Sequence, residues 1–91
     1  MNTIKGTALI QEKEHNSMKY KIEIIEYNIC PDERFCDIAC DVCVKMKFLW
    51  FWITIWEETA VGAKFKTIDD YNDEVEYLRI KAEDILKALT D

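Results

Sequence analysis

Nine consecutive residues, Phe48-Leu49-Trp50-Phe51-Trp52-Ile53-Thr54-Ile55-Trp56, contain all three tryptophans of this chain and two of its four phenylalanines. Only the Thr54 hydroxyl interrupts them. Read with period two, Phe48, Trp50, Trp52, Thr54 and Trp56 share one face of a strand, and Leu49, Phe51, Ile53 and Ile55 share the other. Both faces then shun water and both need a cover. The run is about half of the ~20 apolar residues a membrane-spanning helix requires, and Lys47 and Glu57 bound it closely, so a sheet is expected and a bilayer span is not.

Upstream the alternation Val42, Val44, Met46, Phe48 leads into the run, which predicts one long strand from Val42 to Trp56. A strand that long is expected to bend or bulge. Thr59-Ala60-Val61-Gly62-Ala63 reads as a turn with Gly62 at positive φ, and Lys64-Phe65-Lys66-Thr67-Ile68 as a short returning strand. Nearer the N-terminus, residues 3–12 and Lys19 to Ile29 read as a hairpin around His15-Asn16-Ser17, followed by a loop at Pro31-Asp32-Glu33-Arg34.

From Asp70 to Leu89 the period changes. Val75, Leu78, Ala82, Ile85, Leu86 and Leu89 form the apolar stripe of an amphipathic helix, with Asp69, Asp70, Asp73, Glu74 and Glu76 crowding its start, where negative charge complements the helix dipole. A strand over Val75 to Ile80, with a shorter helix from residue 81, is the competing reading. The expected architecture is a single α+β domain over residues 1–91: an antiparallel sheet of about four strands with one C-terminal amphipathic helix packed on one face.

One helix covers one face. The other face of the aromatic strand would then meet a second subunit, so a two-fold homodimer is expected, with Phe48, Trp50, Phe51, Trp52 and Trp56 as interface residues. The size of the chain agrees, because a domain of 91 residues has a thin core.

The chain has a formal charge of −6, with 18 acidic residues spread along it. Direct contact with nucleic acid is therefore not expected, nor is binding to a membrane, because Lys45, Lys47, Lys64 and Lys66 make the only basic clusters and read as solvated strand positions. Met1 to Glu14 lacks the apolar stretch of a secretory signal, which points to a cytoplasmic protein. In that compartment the cysteines should be thiols or metal ligands.

Cys30, Cys36, Cys40 and Cys43 lie within one short segment, and four thiolates could bind zinc. Their intervals of six, four and three positions in one continuous segment do not make the two close pairs of a structural zinc site. Buried thiols are the favoured reading over zinc, and the spacing matches none of the common iron–sulfur runs. His15 and Ser17 are the only residues of their types and fall in a turn, and pairs such as Glu57-Glu58 and Asp69-Asp70 sit at element ends. Neither arrangement supplies a catalytic constellation, so no catalytic residue is assigned and no enzyme is expected.

The segment Val44-Lys45-Met46-Lys47-Phe48-Leu49-Trp50-Phe51-Trp52, followed by Phe65-Lys66-Thr67-Ile68-Asp69-Asp70 and a C-terminal helix with Ala82-Glu83-Asp84-Ile85-Leu86, resembles the layout of short bacteriophage and prophage proteins. The resemblance spans residues 42–89 and does not include the cysteines. It implies a phage or mobile-element origin and carries no activity. The functional expectation is a non-enzymatic protein-interaction module, an accessory factor that binds a host protein. Two alternatives stand beside it: a zinc-stabilised binding module, and an acidic decoy that occupies a nucleic-acid-binding groove.

Overall fold

The computed structural model describes residues 2–32 and 35–91. Four strands form one antiparallel sheet in chain order: β1 (Asn2–His15), β2 (Met18–Asp32), β3 (Phe35–Phe48) and β4 (Phe51–Val61). The helix α1 (Ile68–Thr90) packs on one face of it. The α+β layout read from the sequence is therefore the one observed.

Cross-strand partners share a face of a sheet, so the register assigns every side chain. Tyr20, Ile22 and Ile24 of β2 lie opposite Met46, Val44 and Val42 of β3, and Cys40 lies opposite Ala60 of β4. All but Met46 are buried, and Met46 packs against them. The helix brings Tyr71, Leu78, Ala82 and Leu86 down onto this layer, the spacing of one helical stripe. Burying a Leu, Ile or Val side chain contributes about 1.5–3 kcal/mol, so Ile22, Val42, Val44, Leu78 and Leu86, all within 1% of complete burial, carry much of the fold's stability.

The helix starts where its chemistry dictates. Thr67 adopts an extended backbone and its Oγ1 accepts a hydrogen bond from the Asp70 N–H at 3.1 Å, while Asp69 and Asp70 occupy the first turn. No strand forms over Lys64 to Ile68: Gly62–Lys64 make one 3₁₀ turn, and Phe65 meets the Tyr71 ring edge-on with centroids 6.2 Å apart. Val75 to Ile80 is helical throughout.

β4 runs through the expected turn and stops at Val61, where Asp37 of β3 ties the departing chain. Its carboxylate accepts from Ala63 N–H and from Ile38 N–H, both at 2.9 Å. A Cβ on Gly62 would sit 2.7 Å from Ile38 Cγ1, so close approach, not positive φ, calls for glycine there. Of the loop expected at Pro31 to Arg34, the backbone of β2 continues to Asp32; Glu33 and Arg34 lie outside the described residues.

Candidate functional site

The aromatic run is not one strand. The chain reverses at Leu49-Trp50, a two-residue turn that pairs Phe48 with Phe51, Lys47 with Trp52 and Met46 with Ile53. Leu49 takes φ 57°, the left-handed region that a side chain enters at a cost. Further along, the register slips between Val44 and Lys45, whose partners are Trp56 and Thr54, leaving Ile55 as the extra residue of a bulge. The bulge inverts the alternation. Trp52 and Thr54 face away from the helix beside Lys47 and Lys45, while Trp56 turns toward it beside Val44.

These two breaks scatter the five expected interface residues. Trp56 packs against the core under Lys81, whose ammonium sits 5.9 Å from the ring centroid and pairs with Glu58 at 2.7 Å. Trp52 lies half-buried on the open face with the Lys21 ammonium 4.2 Å over its ring. The other three stay together at the apex: Trp50 is 82% exposed, Phe48 47% and Phe51 44%, joined by Leu49 at 65%. Phe51 meets Phe48 and Trp50 edge to face, with centroids 5.7 Å and 6.3 Å apart. Leu49 was not among the expected contact residues, which were all aromatic.

The apex does not stand alone. The β1–β2 turn lies at the same end of the sheet, and an open groove of about 430 Å³ between the two turns is lined by Ser17, Met18, Lys19, Lys47, Phe48 and Leu49. Lysine and aromatic side chains thus share one surface. Below it on the open face, Glu23 pairs with Lys45 at 2.9 Å and Lys21 at 3.5 Å. Burial works to raise the Glu23 pKa, but the Lys45 hydrogen bond and the two ammonium charges outweigh it and hold the carboxyl below its ordinary value. Further down, Tyr27 and Thr59 both donate to Asp41 Oδ1, at 3.1 Å and 2.5 Å.

The four cysteines do not converge. Cys30 and Cys36 form a disulfide at the opposite end of the sheet, with Cα atoms 4.2 Å apart, where thiols were expected. Such a bond is favoured in oxidising surroundings. Cys40 and Cys43 are free and buried on opposite faces of β3: Cys40 faces the helix, and Cys43 donates to Glu57 Oε2 at 3.4 Å. Burial pushes the Cys43 thiol up to about 12, helped by the Glu57 carboxylate. Burial likewise raises Cys40. Neither is a thiolate near neutrality, which is the form that attacks or ligates. Among the described residues no three His, Cys, Asp or Glu side chains gather as a metal site would require.

A second cavity, about 210 Å³, opens between the sheet and the first turns of α1, lined in part by Glu26, Tyr27, Cys40 and Tyr71. Burial and the nearby Cys40 raise the Tyr71 pKa, so its hydroxyl stays protonated. Among the described residues no helix is long and apolar enough to cross a membrane. No protein-family model, curated protein or solved structure matches this chain.

Proposed function

We propose that this protein is a non-catalytic docking module whose working surface is the aromatic hairpin end of the sheet. The observation that carries this reading is the apex itself. Leu49 and Trp50 occupy a two-residue turn where Asn, Asp or Gly would cost least, and they bury little there in return. A sequence that holds Leu49 at positive φ and Trp50, its most exposed large apolar side chain, beside it gains nothing in folding from either. A contact made elsewhere repays that cost.

The experiment is site-specific photo-crosslinking in the source cells. A crosslinking side chain at position 50 should trap a macromolecular adduct, whether protein or lipid, and the same group at Lys87 on the exposed side of α1 should not. Equal yields at the two positions, or none at either, would overturn the reading.

A further inference from the structure

Strand pairing answers what kind of surface the apex meets, and the inference rests on the docking reading above. Along the chain only Lys45 and Lys47 adjoin the aromatic run; the fold adds others. The row Lys21–Lys45–Thr54 marks the lower limit of the aromatic end. From that row to the two turns, residues 12–21 and 45–54 contain Lys13, Lys19, Lys21, Lys45 and Lys47 against Glu12 and Glu14, a balance of +3. With the chain at −6 overall, everything else totals −9. Glu23, just below the row, is held by Lys45 and Lys21. The molecule is about 49 Å long, and on its sheet the apolar apex lies at the positive end.

We infer that this end docks on the surface of an anionic phospholipid bilayer. Leu49 and Trp50 enter the boundary between headgroups and acyl chains, where Trp is favoured because its ring is apolar and its N–H is polar. Lys19 and Lys47, which line the same groove as Phe48 and Leu49, sit at the level of the lipid phosphates. An apolar wedge and a basic collar are two weak anchors that hold together where either alone binds marginally. The acidic remainder turns to water, because an anionic leaflet repels it. Peripheral contact of this kind needs no spanning helix, and the turn supplies it with two residues.

Other occupants fit less well. A second copy meeting apex to apex across a two-fold axis sets five lysines against five. Single-stranded nucleic acid stacks on flat aromatic faces, whereas here the rings of Phe48 and Phe51 meet at 73° and the aliphatic Leu49 shares the apex.

Co-sedimentation of the full chain with vesicles tests the inference. Phosphatidylcholine vesicles containing a third phosphatidylserine should bind at least about tenfold more strongly than phosphatidylcholine alone, and added salt should weaken the binding. Leu49→Gly with Trp50→Asn, which puts glycine at the one positive-φ position of the turn and so keeps the fold, should lose about tenfold or more. Lys19→Ala with Lys47→Ala should lose roughly thirtyfold. Lys64→Ala with Lys66→Ala removes the same charge beyond the other end of β4 and should stay within about twofold. Far-UV dichroism of each variant reports retention of α1. Failure to sediment with anionic vesicles, equal losses for the two lysine pairs, or tighter binding to a single-stranded oligonucleotide would each overturn the inference. Protein-only adducts from position 50 would overturn it too, while leaving the docking reading in place.

Discussion

Two turns stand at one end of the sheet with a groove between them, and they follow opposite rules. In the first, Asn16 and Ser17 both take positive φ, 50° and 66°, as a tight hairpin turn demands, and both residues are polar and exposed. In the second, Leu49 takes φ 57° and Trp50 follows it into solvent. Each hairpin has long strands and several cross-strand pairs beneath it, so neither register depends on its turn alone. The first turn is what folding selects when nothing else is asked. The second is tolerated because the strands below outweigh its cost, and that surplus frees the apex for contact.

The core shared by both hairpins sets the energy scale for the two turns. Leu78→Ala removes a side chain that is 1% exposed from the helix stripe and should cost about 2–5 kcal/mol in chemical denaturation. Exchanging the turns comes next. Leu49-Trp50 replaced by Gly-Asn should stabilise the fold by about 1–2 kcal/mol, and Asn16-Ser17 replaced by Leu-Trp should destabilise it by a similar amount. A loss of stability in the first exchange would mean that the apex serves folding, and the contrast between the turns would fail.

A smaller effect tests the strand pairing beneath the apex. The Glu23 pKa is lowered in the fold, so the stability it contributes is present above the ordinary carboxylate pKa and is lost as pH falls through the lowered value. Lys45, raised mainly by the Glu23 hydrogen bond, shows the other side of the same pair: its contribution persists until pH rises through the elevated value. Glu23→Gln should therefore cost about 1 kcal/mol near neutrality and flatten the acid limb of the stability profile. Smallest of all, Trp50→Ala should change stability by less than about 0.5 kcal/mol, whereas Trp56→Ala, which strips a ring from the core margin, should cost clearly more.

The contrast also shows what is legible in a chain like this. The first hairpin was readable because Asn16-Ser17 is turn chemistry between two alternating segments. The helix was readable from its stripe, and Leu78, Ala82 and Leu86 are buried as their spacing implied, although Leu89 is 41% exposed and Tyr71 takes an unforeseen core place. The second hairpin was hidden, because no Gly, Asn or Asp marks Leu49-Trp50, and the bulge at Ile55 inverts the alternation by which faces are assigned. One signal was present but read otherwise: Thr67-Ile68-Asp69-Asp70 is a helix-capping pattern, and the helix begins there instead of a strand ending. The lysines beside the apex could not be read at all, since Lys19 and Lys47 become neighbours only through strand pairing.

Everything proposed for the aromatic end depends on the reversal at Leu49-Trp50. Nuclear Overhauser contacts measured in solution test it most directly: the account predicts cross-strand contacts joining Phe48 with Phe51, Lys47 with Trp52 and Val44 with Trp56. An extended chain rises about 3.3 Å per residue, so a single strand through this segment would hold Lys47 and Trp52 roughly 16 Å apart. The absence of those contacts, with sequential contacts of an unbroken strand from Val42 to Trp56 in their place, would contradict the account.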